Sequence, residues 1–433
     1  MRYLYTLLLY ASLPLVLLRL LWRSLRAPAY RSRWAERFGR FAPPAATGGV
    51  WIHAVSVGEV QAIAPLVRHL LAAYPDLPLC LTTTTPTGSD RARRLFDGEL
   101  FHVYFPYDLP VAVNGFLDRV RPRLLVMVET EVWPNLLAAC ERRGIQTLLA
   151  NGRLSERSAR GYARLGRFAR QTFGRISAAA AQAPADAERL IALGVPPQRV
   201  RVTGSIKFDV RLPASVQEQT QVLRRGWGGH RPVWVAASTH EGEDEQILDA
   251  HAVVLKRVAD ALLVLVPRHP ERFERVAGLC RRRGFTLARR SLGEAGGAPV
   301  EVLLGDTMGE LPVFLGAADA AFIGGSLVPT GGHNMLEASA QGVPVVFGPH
   351  VFNFAAVSQL LLAQGGAVQV PDAAALARVI ADWLGDAAGR SRVGQAGRRV
   401  VEENRGALAA LTALVQTLLE MPTPESELRP PRQ

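Results

Sequence analysis

The sequence predicts an α/β protein with two doubly wound domains. Its 433 residues are too many for one ordinary core. Apolar runs of strand length alternate with segments of helical periodicity along almost the whole chain, which is typical of parallel sheets covered by helices. Gly204 and Pro213 mark a short break between two such series. We therefore expect an N-terminal domain over 41–210 and a C-terminal domain over 211–420, with a ligand crevice between them.

The first 40 residues predict a membrane anchor followed by a basic belt. Residues 3–18 are uncharged and mostly Leu, Tyr and Val, and residues 20–22 bring the run close to the length of about 20 that spans a bilayer. Residues 1–40 contain eight arginines and one acid, and most of these arginines follow the apolar run. This charge predicts that the C-terminal side of the run lies in the cytoplasm, and it suits anionic lipids. A cleaved signal peptide ending near Ala27 is opposed by the arginines before it. Shallow interfacial insertion stays open because Pro14 interrupts the helix.

The strands of each half are predicted from apolar runs bounded by turn residues. In the first half they are 50–55, 77–82, 101–105, 123–128, 146–150 and 176–180. In the second half they are 233–237, 261–266, 300–304, 320–323 and 343–347. Helical periodicity lies between them, for example over 60–71 and 135–142. The Pro/Glu-rich residues 421–433 predict a disordered tail.

A glycine-rich stretch follows the predicted strand 320–323. It contains Gly324-Gly325-Ser326 and then Gly331-Gly332, and a helix is expected to begin at Met335. Backbone N–H groups in such a loop favour a phosphate. A carboxylate one turn into the helix, Glu337, can hold a ribose diol. The stretch therefore suggests a nucleotide donor, and a plain tight turn with a solvated glutamate is the alternative.

Three acids follow strands of the first half. Glu59 comes after the first predicted strand and is placed to take a proton from a hydroxyl, although an acid in a helix's first turn has an ordinary dipole role as well. Glu129 and Glu131 come directly after a near-continuous apolar strand. Because buried carboxylates are costly unless paired, this pair favours a functional site.

Lys207 and Arg268 are the basic candidates. The chain has only two lysines among its 50 basic residues. Lys207, at the break between the halves, therefore indicates either that a compact ammonium group is needed there or that a lysine was retained by chance. Arg268, followed by His269, ends a predicted strand where a phosphate would lie. The stretch 238–245 resembles a metal site at first sight, but a capped helix start with acids in its first turn accounts for it better.

Six separated motifs closely resemble the bacterial 3-deoxy-D-manno-octulosonic acid (Kdo) transferases. They lie in order along nearly the whole chain at 56–59, 129–135, 151–155, 204–209, 268–273 and 331–334. The resemblance implies a GT-B glycosyltransferase with two Rossmann-like domains and an N-terminal membrane-anchor helix. It also implies transfer of Kdo from CMP-Kdo to the lipid A precursor lipid IVA, at the cytoplasmic face of a bacterial inner membrane.

The resemblance assigns roles residue by residue. Glu59 matches the family's general base, and Glu131 and Lys207 match residues that stabilise the transition state. The segments that match CMP-binding positions comprise Arg268, His269, Met308, Gly309, Glu310, Gly331, Gly332, Asn334, Met335, Leu336 and Glu337. Met335 departs from the family pattern, in which we expect proline, so the start of that helix is less rigid here.

The expected chemistry is a single displacement with inversion. A departing CMP carries one phosphate and needs less metal help than a diphosphate, and the chain has no Asp-X-Asp motif, so we expect no metal and no cofactor. Nucleic acid is not an expected partner. Two alternatives stay open: a nucleotide-sugar epimerase on the same fold, and a catalytically silent, membrane-anchored protein that binds sugar nucleotides.

Overall fold

The computed structural model of the protein describes residues 1–26, 28–210 and 212–421. From residue 422 the predicted tail lies outside the described residues, and so does Ala27 of the possible cleavage site. The chain forms two compact units. Unit 1 comprises Met1–Lys207 and the chain from Arg405 onward, and unit 2 comprises Phe208–Asn404.

Unit 1 contains a sheet of seven parallel strands. In chain order they are β1 Val50–His53, β2 Leu79–Thr83, β3 Phe101–Tyr104, β4 Leu124–Val128, β5 Gln146–Gly152, β6 Ala178–Ala181 and β7 Val200–Val202. The helices are α1 Arg2–Arg26, α2 Trp34–Arg37, α3 Val57–Ala73, α4 Pro86–Phe96, α5 Pro110–Val120, α6 Pro134–Arg142, α7 Glu156–Ala163, α8 Arg167–Phe173 and α9 Pro184–Ala192. The spatial strand order β3-β2-β1-β4-β5-β6-β7 reverses direction between β1 and β4.

Strand β4 shows why this sheet is covered on both faces. All five of its residues are apolar and buried. Leu124 and Val126 belong to the apolar layer on one face, and Leu125 and Met127 belong to the layer on the other. A continuous apolar run, rather than alternation, is what a parallel strand between two helical layers requires. Each such side chain contributes about 1.5–3 kcal/mol when fully buried.

Unit 2 repeats the plan with a second sheet of seven parallel strands. They are β8 Val233–Thr239, β9 Leu262–Pro267, β10 Leu287–Arg289, β11 Val302–Leu304, β12 Ala320–Ile323, β13 Val345–Phe347 and β14 Ala367–Gln369, in the order β10-β11-β9-β8-β12-β13-β14. The helices are α10 Ala214–Gly226, α11 Asp244–Arg257, α12 Phe273–Arg282, α13 Leu311–Gly316, α14 Leu336–Ser339, α15 Ala355–Ala363, α16 Ala373–Gly385 and α17 Ala387–Glu403. The predicted class of two doubly wound α/β units is confirmed. The three-residue strands β7, β10 and β14 were not among the predicted strands.

The last helix, α18 Ala407–Glu420, belongs to unit 1 and not to the C-terminal domain in which the expected range 211–420 placed it. Its apolar face, including Leu411 and Val415, packs in the same core layer as Leu66 and Leu70 of α3. An amphipathic pattern predicts that a helix packs on an apolar core, but it does not indicate which of the two cores. Here the chain returns to the core of unit 1.

Helix α1 is attached to unit 1 near its N-terminal end. The Tyr5 hydroxyl donates to Asp108 Oδ2 at 3.0 Å, and the Thr6 hydroxyl donates to Asn135 Oδ1 at 3.1 Å. Toward the other end, Leu20 and Ser24 are buried. A helix of 25 residues is about 37 Å long. The two hydrogen bonds hold the first turns of α1 against unit 1.

The outward face of α1 is apolar. Its exposed large apolar side chains are Tyr3, Leu4, Leu7, Leu8, Tyr10, Leu15, Leu18, Leu21, Trp22 and Leu25, so they cover a broad part of the helix surface. Among the described residues, α1 is the one helix long and apolar enough to cross a membrane, with a mean hydropathy of 1.9. This criterion uses length and composition only, and a signal sequence also meets it. The helix is consistent with membrane association.

Candidate active site

In unit 1, polar side chains gather where the strand order reverses. His53 ends β1, and Glu59 lies in the first turn of the helix that follows it. Glu129 and Glu131 follow β4, the neighbour of β1 in the sheet. Ligands of open parallel sheets bind at such reversals, beyond the carboxyl ends of the strands. The structure thus brings together Glu59 and Glu131, which were predicted from separate stretches of sequence.

Glu59 has the structural role considered for it at the start of α3. Its Oε2 accepts the Val55 N–H at 2.8 Å, its Oε1 accepts the Ser56 hydroxyl at 3.0 Å, and Ser56 caps the helix in return, so the carboxylate fastens the helix start. Burial, together with the charges of Glu129 and Glu131, raises the pKa of Glu59 to about 7. A carboxylate with that pKa can hold and release a proton near neutral pH.

Glu131 is held from two sides. Trp133 Nε1 donates to its Oε2 at 2.8 Å, and Nε2 of the fully buried His53 lies 3.7 Å from the same oxygen. About a quarter of the Glu131 side chain is exposed, so the carboxylate keeps access to a ligand. Its place beyond β4 agrees with the predicted functional acid.

Lys207 forms an ion pair with Glu129, the other acid in the loop that follows β4. Its Nζ lies 3.6 Å from Glu129 Oε1. Glu129 has a left-handed backbone, with φ of 61°, which is costly for a residue other than glycine and is found at functional sites. The loop after β4 therefore directs one carboxylate to Lys207 and the other to His53 and Trp133.

Asn151 connects two of the recognised motifs. It also has a positive φ, 52°, which asparagine tolerates better than most residues. Its buried Oδ1 accepts the N–H of Ile206 at 3.2 Å, and Ile206 directly precedes Lys207. The Thr130 hydroxyl donates to the carbonyl oxygen of Arg153. These bonds fix the backbone that carries Lys207 and Glu131.

In unit 2 the glycine-rich loop is already occupied by a carboxylate of the protein. Glu243 is fully buried and accepts the N–H groups of Gly325 at 2.7 Å, Ser326 at 3.0 Å and Leu327 at 2.9 Å. It also accepts the His240 N–H at 3.1 Å. The expectation that the first part of this loop offers free N–H groups to a phosphate is therefore wrong. The bonds to Glu243 give the loop a fixed shape.

Three histidines and an arginine gather beside this loop. The rings of His240 and His333 are stacked, with their Nε2 atoms 2.7 Å apart, and His269 meets His240 edge-on at 5.5 Å. Burial, helped by the charge of Arg268, lowers the pKa of His333 to about 3, and burial lowers the pKa of His240 as well. Neutral imidazoles beside a guanidinium suit a phosphate group.

The segment 334–337 contributes less to a ligand site than expected. Glu337 is mostly buried, which raises its pKa, while Asn334 Nδ2 donates to its Oε1 at 3.1 Å and Arg268 lowers the pKa in part. Met335 and Leu336 are completely buried in the apolar core of unit 2. Their side chains cannot touch a donor, so any contact is limited to their backbone. The helix is one turn long.

The segment 308–310 lies beyond β11, two strands from β8 in the same sheet. Met308 is exposed, and Gly309 has a positive φ of 87° with open space around it. Both oxygens of Glu310 are engaged, by the Arg290 guanidinium at 2.6–3.1 Å and by the Thr307 hydroxyl. Arg290 lowers the pKa of Glu310. A ligand would have to compete for this carboxylate.

Gly331 and Gly332 shape the second part of the loop. Both have positive φ angles, 104° and 75°. A Cβ at Gly331 would overlap Asn353 and Phe352, and the Gly332 N–H donates to the carbonyl oxygen of Gly325 at 2.8 Å. These two glycines are therefore required by the fold of the loop itself.

Comparison with known proteins agrees with this arrangement. Residues 32–210 match the family described as 3-deoxy-D-manno-octulosonic-acid transferase (kdotransferase). A protein of that name from Haemophilus influenzae is 43% identical over 424 residues, which cover 97% of this chain and 99% of the relative. One from Bordetella pertussis is 40% identical over 93% of this chain and 96% of its own.

The chain belongs to the Kdo transferase family. It is therefore a glycosyltransferase, which favours the predicted reaction over the two alternatives. A solved UDP-GlcNAc 2-epimerase from Neisseria meningitidis has a TM-score of 0.55 with 13% identity, covering 85% of this chain and all of the epimerase. At that identity the likeness shows the fold alone, and it supports the predicted GT-B class.

Several residues of this Kdo transferase site escaped the sequence analysis. His53 ends β1, and His240 and Glu243 lie in the stretch 238–245 that was interpreted as a capped helix start, so none of the three was assigned a ligand-binding or catalytic role. His333 was part of a recognised motif and still received none. A histidine near the carboxyl end of a parallel strand is the signal that would have found His53 and His240.

Proposed function

We propose that this enzyme transfers Kdo from CMP-Kdo to lipid IVA. Family membership supports Kdo as the transferred sugar, and the resemblance of the motifs supports the donor and the acceptor. The observation that supports the roles best is the state of Glu59. Its pKa of about 7 and its place at the strand reversal suit a base that takes the proton of an acceptor hydroxyl.

The proposed reaction is one displacement. The acceptor oxygen forms a bond to the anomeric carbon of Kdo while the bond from that carbon to the CMP phosphate oxygen breaks. CMP leaves with the electron pair, and the acceptor proton passes to Glu59. Attack opposite the leaving group inverts the anomeric configuration. Glu131 and Lys207 then act on the charge that develops at the sugar.

Unit 2 is proposed to bind the donor. Arg268 supplies a positive charge, and the imidazole rings of His240, His269 and His333 lie in the same place. Glu337, beside Asn334, is the proposed partner of the ribose hydroxyls. Because the leaving group is a monophosphate, these residues suffice for its charge, and we propose that transfer needs no metal and no cofactor.

A direct assay tests the proposal. Purified protein is incubated with CMP-Kdo and lipid IVA, CMP release is followed, and the product is analysed by mass spectrometry and by NMR of the new anomeric centre. We expect lipid IVA to gain Kdo with inverted configuration. Absence of any transfer, or a product with retained configuration, would contradict the proposed function. The product mass also gives the number of Kdo units added.

The anchor is proposed to lie in the plane of the membrane, on the cytoplasmic face of the inner membrane. If α1 crossed the bilayer, Tyr5 would be separated from the domain by about 30 Å of hydrocarbon, whereas its hydroxyl bonds to Asp108. The exposed leucines then face the lipid, and the exposed Arg19 and Arg23 suit anionic headgroups.

Spin labels on α1 separate the two geometries. Single cysteines replace Leu4, Ala11 and Leu25 in the full chain on anionic vesicles, and their depth is measured with a polar and an apolar relaxation agent. An in-plane helix gives three similar, shallow depths. A label deep in the hydrocarbon at residue 11, with shallow labels at both ends, would show a spanning helix instead.

A further inference from the structure

Asp108 caps helix α6 from a distant part of the chain, between β3 and α5. It is buried, and its carboxylate accepts the N–H groups of Asn135 at 2.9 Å and Leu136 at 2.7 Å. These are the first two N–H groups of α6, because Pro134 has none. Trp133, the residue before the helix, provides no side-chain cap. The Asn135 side chain donates to the carbonyl oxygen of Asp108 at 2.8 Å, so the two residues hold each other.

Two consecutive residues of α1 bond to this pair. The Tyr5 hydroxyl donates to Asp108 Oδ2 at 3.0 Å, and the Thr6 hydroxyl donates to Asn135 Oδ1 at 3.1 Å. The Tyr5 ring packs against Phe168 of α8, with centroids 5.7 Å apart. Burial raises the pKa of Asp108 to about 6, and its hydrogen-bond donors, Tyr5 among them, lower it in part. The Tyr5 hydroxyl thus stabilises the ionised carboxylate that caps α6.

The start of α6 is also the end of the loop that carries Glu131. Trp133, immediately before α6, donates its indole N–H to Glu131 Oε2 at 2.8 Å. Residues 129–133 form neither helix nor strand, so the position of Trp133 depends on the elements at the two ends of the loop, β4 and α6. A shift in the first turn of α6 would therefore move the indole that holds Glu131.

We propose that Tyr5 is a positioning residue for Glu131. Its hydroxyl, through Asp108, fixes the first turn of α6 and with it the Trp133 indole that orients the Glu131 carboxylate. Helix α1 is then part of the support of the active site as well as an anchor. This inference rests on the proposed role of Glu131. Because the donor is assigned to unit 2, loss of the Tyr5 hydroxyl should lower turnover and leave the KM for CMP-Kdo unchanged.

Four variants of the full-length protein test this in the transfer assay, with lipid IVA in detergent micelles. Tyr5→Phe removes the hydroxyl and keeps the ring against Phe168. We expect its kcat to fall about tenfold, less than the roughly 10²-fold that a misplacement of about 1 Å can cost. Tyr74→Phe is the control, because the Tyr74 hydroxyl, at the end of α3, has no hydrogen-bond partner among the described residues. The combined Tyr5→Phe/Glu131→Gln variant should be no slower than Glu131→Gln alone, within about twofold.

Wild-type kcat in Tyr5→Phe, or losses that multiply in the double variant, would overturn the inference. If the unaltered protein transfers no Kdo, the proposed function fails instead, and a second measurement needs no activity. The indole ¹H–¹⁵N NMR resonance of Trp133, assigned with Trp133→Phe, should shift in Tyr5→Phe and stay in place in Tyr74→Phe. An unmoved resonance in Tyr5→Phe would overturn the inference. Thermal unfolding checks that each variant is folded.

Discussion

The two units place opposite chemistry at equivalent positions of the same fold. Beyond β1 and β4 of unit 1 lie three carboxylates and one paired lysine. Beyond β8, β9 and β12 of unit 2 lie Arg268 and three histidines, and the carboxylate of Glu243 there is enclosed by backbone N–H groups. The fold supplies a place for a site in both units, and the side chains decide what each can do.

In the proposed function, this difference divides the reaction between the units. In unit 1, burial and the charges of Glu129 and Glu131 raise the pKa of Glu59, which suits removal of a proton. Neutral imidazoles and a guanidinium in unit 2 suit a phosphate. Substitutions in unit 1 should therefore affect turnover, and substitutions in unit 2 should affect binding of the nucleotide.

The largest effect is expected for Glu59→Gln. The amide keeps the shape of the helix cap but cannot take a proton, so kcat should fall about 10²- to 10⁴-fold, with unchanged affinity for CMP. Steady-state kinetics and calorimetry measure the two quantities. Glu156→Gln is the matched control, because Glu156 is an exposed acid in the first turn of α7. Full activity of Glu59→Gln would break the comparison between the units.

Arg268→Gln should show the complementary effect. Loss of a charged hydrogen-bond donor to phosphate should raise the dissociation constant for CMP about 10- to 100-fold. Arg257→Gln is the control, since Arg257 forms an exposed ion pair with Asp382 in the same unit. Calorimetry with CMP measures both. Unchanged affinity in Arg268→Gln would show that the donor phosphate lies elsewhere.

Glu243→Gln sharpens the description of the glycine-rich loop. The amide keeps one acceptor oxygen but turns an NH₂ group toward the loop's N–H groups, so we expect a loss of about 3 kcal/mol in the free energy of unfolding. Urea unfolding of the full chain measures it. Glu241→Gln, at a fully exposed acid nearby, should leave the unfolding transition unchanged. If Glu243→Gln also leaves the free energy of unfolding unchanged, the Glu243 carboxylate does not hold the loop.

The sequence predicted those features whose signal is local. Long apolar runs revealed the strands, and acids that follow them, such as Glu59 and Glu131, indicated half of the candidate site. The position of Lys207 was signalled by composition alone. These features depend on residues close in sequence to the strand ends, where parallel sheets collect their functional groups.

The remaining features depend on partners far apart in the chain. Glu243 accepts a hydrogen bond from the N–H of Gly325, 82 residues away, and the Tyr5 hydroxyl donates to Asp108, 103 residues away. No local pattern indicates such a pair. For the same reason the glycine-rich loop was taken for an open phosphate site, and α18 was placed in the wrong unit.

The smallest effect is expected from removal of metal ions. Because the proposed leaving group is a monophosphate and Arg268 is proposed to bind it, chelation with EDTA should change kcat/KM by no more than about twofold, the scale of a small perturbation. Restoration by Mg²⁺ or Ca²⁺ of activity lost in EDTA would contradict metal-independent transfer. The assay of CMP release measures it.

The pH dependence of kcat/KM tests the central assignment most directly. Burial and two neighbouring carboxylates raise the pKa of Glu59 to about 7, and the base acts only when ionised. The rate of the wild-type enzyme should therefore rise tenfold per pH unit below about 7 and level off above it, and this rise should vanish in Glu59→Gln. A wild-type profile that is flat down to pH 5, or one that Glu59→Gln leaves unchanged, would contradict Glu59 as the base.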